Sequence, residues 1–263
     1  MDFALNHEQE QVRDLAQKIL SDHVKQERLR VVESGSEWFD RETWNALAQS
    51  NLIGIGFSES HGGGGLSLFE IGLVLEQIGR FVAPIPYLAT VVMGGLPVER
   101  FGSDEQKNRL LMPVATGDSV LTAALMEPSG DDALAPATTA RKDGSAWRLD
   151  GVKTSVPAAH VAERVLVPAT TGPGKVGMFI VDPRAKGVEL QRQKGTSGER
   201  LSLMVMKDVA VDAGDVLGDP HGGREILDWT VERTLAGLCI TELGVAAEAL
   251  RMTAEYTSKR EQF

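Results

Sequence analysis

Apolar positions in the first hundred residues recur at three- and four-residue spacing. Val12, Leu15, Ala16, Ile19, Leu20 and Val24 mark one face of a helix, opened by Asn6 as cap with Gln9 three residues on. Asp40 can cap a second helix carrying Trp44, Leu47 and Ala48. Ser67 with Glu70 opens a third, bearing Ile71, Val74, Leu75 and Ile78, and Ser103 with Gln106 opens a fourth before Leu110. Residues 86–97 are apolar nearly all round, which suits a helix buried inside the bundle formed by the others. From about Ser119 the pattern changes to short runs: Val120–Thr122, Trp147–Leu149, Val165–Val167, Met178–Val181 and Leu201–Val211. Tight turns are expected at Asp143-Gly144 and Asp150-Gly151. After Gly223 helical spacing returns, with Leu227, Val231, Leu235, Leu238, Val245 and Ala249 on one face of a segment reaching about Ser258.

Proline sharpens this division, because it breaks helix interiors. None of the 11 prolines precedes Pro84 or follows Pro220. The expected organisation is a helical domain over 1–117, a β domain over 118–222 and a helix over 223–263. The fold class is α+β: an N-terminal helical bundle, a central antiparallel, barrel-like β domain and the start of a C-terminal helical bundle.

Composition supports a packed globule, with 263 residues, 42% hydrophobic and 24% charged. A formal charge of −10 and the lack of any lysine–arginine cluster argue against nucleic acid or a membrane surface as partner. No apolar run approaches a membrane span, and the N-terminus has no signal-peptide order. One cysteine, Cys239, cannot close an internal disulfide. These features fit a cytoplasmic protein.

Several chemistries fail on their own requirements. The glycines at 62–65 lack the Gly-Lys-Ser/Thr ending of a phosphate loop and follow a helix, so a flexible turn between two helices is expected. The run Gly195-Thr196-Ser197-Gly198 does not fit a nucleophile elbow. The five histidines have no metal-ligand spacing, and no metal site is expected. Cys239 falls on the apolar stripe of the last helix, where a small buried hydrophobe is expected. Glu232 stands on or beside that stripe, with Trp229 three residues behind. A carboxylate there would be partly desolvated and a better base toward a carbon acid, or else an ion-pair partner for a neighbouring helix. Glu242 shares the stripe and the ambiguity.

Four landmarks, taken in order, resemble the acyl-CoA dehydrogenase family over the whole chain. They are the glycine-rich stretch from Gly54 to Ser67; Phe101-Gly102-Ser103-Asp104-Glu105-Gln106-Lys107, followed by Leu110, Leu111, Pro113 and Gly117-Asp118; Met126-Glu127-Pro128 with Asp150-Gly151-Val152-Lys153; and Val216-Leu217-Gly218 with Glu232-Arg233 and the closing Tyr256, Arg260, Gln262 and Phe263. The resemblance implies a flavoprotein oxidoreductase of fatty-acid or lipid metabolism that binds FAD and converts an acyl-CoA thioester to its α,β-enoyl form. It further implies a tetramer or other homo- or hetero-oligomer and an electron-transfer flavoprotein or similar acceptor as partner.

Carried over position by position, the resemblance implies flavin contacts at Ala124, Leu125, Met126, Ser155, Pro157, Arg260 and Phe263, and substrate contacts at Asp131 and Arg233. Glu232 falls where the isovaleryl- and long-chain-type members carry their catalytic base. Three positions depart from the family pattern. Met126 replaces a threonine, Ser155 replaces an aromatic residue, and Pro157 replaces a second hydroxyl donor. The turn at Ser129-Gly130-Asp131-Asp132 is also shorter than usual. Family members continue past the Arg-x-Gln-Phe motif with further helices, so 223–263 is expected to be the first helix of an incomplete bundle. The alternative implied by the departures is a catalytically silent or half-site subunit of a hetero-oligomer.

Overall fold

The structure, a computed structural model, describes residues 4–35, 39–128, 130, 132–196 and 198–262. Among the described residues, six α-helices lie in the N-terminal part: α1 (His7–His23), α2 (Gln26–Ser34), α3 (Arg41–Gln49), α4 (Leu68–Phe81), α5 (Leu96–Phe101) and α6 (Asp104–Ala115). The caps read from the sequence are formed. Reciprocal cap bonds join Asn6 with Gln9, Ser67 with Glu70 and Ser103 with Gln106, and the Asp40 carboxylate accepts from the Glu42 and Thr43 N–H groups. The apolar stretch after Pro86 is buried as expected, but its backbone is wider than an α-helix. Leu88–Gly95 forms a π-helical segment that runs straight into α5.

Helix α2 was not legible in the sequence. It has no side-chain N-cap and buries only Val32, so it has neither the cap nor the stripe that announces a helix. The glycine loop also differs from the expected flexible turn. Gly63 N–H donates to Ser58 O, Gly64 to Gly54 O, Gly65 to Phe57 O and Leu66 to Ile55 O. Its donors are spent on its own backbone, leaving none of these four to cradle a phosphate.

Among the described residues eight strands follow: β1 (Leu121–Ala123), β2 (Thr139–Asp143), β3 (Ala146–Pro157), β4 (Arg164–Gly172), β5 (Lys175–Val181), β6 (Val188–Lys194), β7 (Arg200–Val211) and β8 (Val216–Leu217). They form one mixed sheet in the order β6-β7-β3-β2-β4-β5-β8, with β1 on β4. The expected purely antiparallel arrangement is corrected at two places, since β1 and β2 each pair parallel with β4. Asp143-Gly144 makes the expected hairpin, with Gly144 at φ +60. Asp150-Gly151 does not turn; it lies inside β3, at a shift of register against β7. Glycine is needed there because a Cβ would press on Thr138, 2.8 Å from its Cα.

Helix α7 (Gly223–Lys259) closes the described chain and packs on α4. Glycines set that approach: a Cβ on Gly79 would stand 2.9 Å from the Thr241 carbonyl carbon, and one on Gly244 2.9 Å from that of Glu76. After Gly244 no described residue of α7 is buried. Cys239 is exposed, not buried as its stripe suggested. The stripe reading assumes that a helix is covered along its whole length, and here the packed face narrows to Gly223, Ile226, Leu227, Thr230, Thr234, Gly237 and Gly244.

Candidate functional site

A cavity of about 800 Å³ opens where the three parts of the chain meet. Leu88, Ala89 and Met93 of the π-helical segment form one wall, and Val231, Thr234, Leu235 and Leu238 of α7 form a second. Leu125, Met126, Ser155, Pro157 and Ala158 form the β-domain rim, while Leu29 and Val32 of α2 close the remaining side. The lining is predominantly apolar and suits a hydrocarbon chain.

The rim is shaped by an irregularity in β3. Its pairing with β7 shifts register between Lys153 and Val156, and Ser155 and Ala158 adopt left-handed backbone at φ +52 and +54. Such conformations are unfavourable for residues with a Cβ and persist only where the surroundings impose them. Gln193 of β6 helps to impose this one, its Oε1 accepting from the Ser155 N–H at 3.1 Å.

Beneath the rim, Lys153 and Glu127 form a buried ion pair at 2.6 Å. Glu127 also accepts from Thr138 Oγ1 at 2.7 Å and from the Ala137 and Thr138 N–H groups. Burial alone would raise the Glu127 pKa, but the bonds from Lys153 and Thr138 outweigh it and hold the carboxyl below its ordinary range. Burial drives Lys153 the other way, below the ordinary lysine range, with Glu127 opposing. This hub ties the segment carrying Met126 to β3 and fixes the two halves of the rim against each other.

Arg200, at the start of β7, holds the α2 wall. Its Nη2 donates to Val32 O at 2.7 Å, Gly35 O at 2.8 Å and Glu33 O at 3.3 Å, where a helix C-terminus leaves carbonyls without partners. Arg28 ties the other end of α2 to buried Asp40. Replacing Arg200 by Ala is expected to raise hydrogen exchange of α2 amides at least about tenfold, with Arg200→Lys recovering part of the loss. Unchanged α2 exchange would show that the clamp is not what holds the helix.

Of the site residues expected from the sequence, Leu125, Met126, Ser155 and Pro157 are brought together at the cavity. Ala124 sits behind them, fully buried, its N–H donating to Leu166 O. Glu232 lies one turn before Leu235, about 60° round the helix from it. Its side chain is 74% exposed and paired with Arg233 at 3.0 Å, so the expected desolvation is corrected. Arg233 faces away from the cavity, with its guanidinium 4.1 Å from the Trp229 ring centroid. Arg260 follows the end of α7, exposed and bonded to the Tyr256 hydroxyl. It is about 37 Å of helix rise beyond Leu235, out of reach of the cavity of its own chain. Asp131 and Phe263 lie outside the described residues. Sequence reasoning missed Arg200, Gln193 and the α2 wall; none carries a local signature, because each acts on a segment distant in the chain.

An isoalloxazine presents carbonyl and ring-nitrogen acceptors along one edge and needs facing donors. The rim meets that need only in part, through the exposed Ser155 hydroxyl. Met126 offers a thioether, Pro157 has no N–H, and the Ser155 N–H is already donated to Gln193. Among the described residues no cluster of His, Cys, Asp or Glu could hold a metal ion, and no helix is long and apolar enough to cross a membrane.

The family models for the acyl-CoA dehydrogenase N-terminal domain and middle domain match residues 6–118 and 123–209. Acyl-CoA dehydrogenase FadE28 of Mycobacterium tuberculosis is 33% identical over 263 residues, covering 100% of this chain and 68% of its own. A solved Tcur3481-Tcur3483 steroid ACAD variant is 38% identical with a TM-score of 0.90, covering 97% of this chain and 68% of that one. The ChsE4-ChsE5 complex from Mycobacterium tuberculosis is 29% identical with a TM-score of 0.92, covering 100% and 70%.

Proposed function

Since the chain belongs to the acyl-CoA dehydrogenase family of flavoprotein oxidoreductases, we propose that it serves the FAD-dependent α,β-dehydrogenation of an acyl-CoA thioester as a subunit of an oligomer. The observation that carries this reading is the predominantly apolar cavity between the π-helical segment, α7 and the β-domain rim, which offers an acyl chain an open cleft of about 800 Å³. That volume exceeds the needs of a short straight chain. With the steroid enzyme among the relatives, it favours a bulky acyl group. An electron-transfer flavoprotein is the proposed acceptor. The acidic charge and single cysteine suit a cytoplasmic setting.

Glu232 is the proposed acceptor of the α-proton. Its support is its place one turn before Leu235 of the cavity wall, where the side chain is 74% exposed and paired with its neighbour Arg233. Arg260, projecting on the far end of α7, is the proposed contact to an anionic group of a neighbouring subunit's cofactor.

Purified oligomer supplied with FAD and an artificial electron acceptor, and incubated with butyryl-CoA or with a steroid side-chain CoA thioester, is expected to yield enoyl product, seen by mass as the loss of two hydrogens with reduction of the acceptor, and more from the bulky substrate. No product from either would sink the reading. In the active preparation, Glu232→Gln is expected to lower turnover at least about a hundredfold with acyl-CoA affinity kept. Full turnover would move the base to another residue. A second reading, a catalytically silent subunit that completes a partner's site, is favoured by Met126 and Pro157 at the rim.

A further inference from the structure

The polar groups that line the cavity are unevenly placed. The π-helical wall presents Leu88, Ala89 and Met93, and on the α7 wall Thr234 spends its hydroxyl on the Thr230 carbonyl of its own helix. Among the described residues, charge is confined to the side closed by α2, where Glu33, Glu199 and Arg200 line the same space. Arg200 is half-buried there. A guanidinium carries N–H donors along two edges of a planar fork. The clamp on α2 uses Nη2 alone; among the described residues Nε and Nη1 meet no acceptor, and no carboxylate lies within ion-pair distance of the group. Lysine, with three donors on one nitrogen, has enough for three carbonyls, so the second edge of the fork exceeds what holding α2 requires. An occupant that is hydrocarbon throughout would strip those N–H groups of water and return no hydrogen bond, a net cost.

We propose that Arg200 is a second recognition point of the cavity, for a neutral oxygen acceptor, a ketone or a hydroxyl, at the end of the acyl group remote from the thioester. The proposal rests on the reading of the chain as an acyl-CoA dehydrogenase subunit, in which the thioester end reacts beside α7. The neighbouring charges select a neutral group over an anion. Glu33 belongs to the clamped end of α2, and a Cβ on Gly198 of the β6–β7 turn would stand 4.0 Å from its Oε1, so this carboxylate lies against the turn that leads into Arg200. Glu199 directly precedes Arg200, and both glutamates are exposed. A carboxylate tail would meet two negative charges for one positive, whereas a carbonyl or hydroxyl oxygen accepts from the guanidinium without that repulsion. Arg200 then discriminates between substrates that share the thioester and the apolar body and differ only at the far end.

The probes are three steroid side-chain CoA thioesters, alike except on the ring farthest from the thioester, which carries a ketone, a methylene or a carboxylate. Affinities are measured on the purified oligomer with FAD present and chemically reduced, so that nothing is dehydrogenated. The ketone is expected to bind at least about tenfold more tightly than the methylene compound, as a hydrogen bond to a charged group provides, and the carboxylate no better than the methylene compound. Arg200→Met loosens α2 and so weakens every probe, but loss of the donor is expected to bring the ketone and methylene affinities to within about threefold of each other. An arginine that only held α2 would leave their ratio intact. Should that variant not fold, the Glu33→Gln/Glu199→Gln double variant is expected to raise the affinity for the carboxylate probe at least about tenfold. The proposal is overturned by a ratio that survives in folded Arg200→Met, by tightest binding of the carboxylate in the wild type, or by no gain for it in the double variant. Equal affinities of the wild type for all three sink only this inference, whereas binding of none of them sinks the acyl-CoA reading with it.

Discussion

Lys153→Met is expected to lower the stability of the fold by about 3–5 kcal/mol near neutral pH, the range for removing one partner of a buried ion pair. The substituted side chain is similar in length, so the loss is electrostatic rather than a cavity. Both partners are buried, Lys153 fully and Glu127 to 7% exposure, and the variant leaves the carboxylate facing only the Thr138 and Ala137 donors. The sign of the pH dependence follows. In the native protein the Glu127 pKa lies below its unfolded value, so the stability it contributes is present above the unfolded pKa and lost as pH falls through the folded one. Without Lys153 only the Thr138 and Ala137 bonds oppose burial, so the carboxyl of the variant takes up a proton at higher pH than that of the wild type. The difference in stability between the two therefore narrows as pH falls. Urea melts at about pH 7 and about pH 4 should show the gap shrinking across the carboxylate range. A gap of constant size would mean that Glu127 carries no charge in the native state.

The second large effect is steric. Gly79→Ala and Gly244→Ala are each expected to cost about 3 kcal/mol, at the upper end for overpacking, because the added methyl meets backbone rather than a side chain that could turn aside. On Gly79 it would lie 2.9 Å from the Thr241 carbonyl carbon and 3.2 Å from the Val245 nitrogen; on Gly244, 2.9 Å from the Glu76 carbonyl carbon and 3.0 Å from the Arg80 nitrogen. Relief requires α4 and α7 to separate along their whole contact, and α7 brings Val231, Thr234 and Leu235 to the cavity. Gly214, which has no neighbour within 4 Å of a Cβ, serves as the control and should tolerate alanine. Chemical denaturation measures the cost, and early hydrogen exchange in α7 would locate it. Equal stability of Gly79→Ala and Gly214→Ala would contradict the close helix approach.

Much of the helical part was legible because its signals are local. A capping box spans four residues and an apolar stripe two turns, so Asn6, Ser67 and Ser103 announced their helices without help from the rest of the chain. The rim was legible only through family resemblance: Leu125, Met126, Ser155 and Pro157 share no periodicity, and a bulge in β3 is what brings two of them to the cavity. Cys239 and Glu232 show where the local rule fails. Both stand on a good stripe, yet whether a stripe is covered depends on what lies against it, and α4 and the π-helical segment meet α7 only on the narrower face that carries Thr230, Thr234, Gly237 and Gly244.

The sequence by itself determined the succession of helices, strands and long helix, the places where helices begin, and the residues at which the flavin contacts of the family are missing. Only the tertiary structure decided that those residues meet the π-helical segment and α7 around one apolar cavity, that Gln193 occupies the donor Ser155 would offer, that Arg200 holds α2 as a wall, and that Arg260 stands far from its own site. The difference is physical. Capping and periodicity depend on neighbours within a few residues, whereas burial, ion pairing and the reach of a side chain depend on segments that come together only when the chain has paid its conformational entropy and packed.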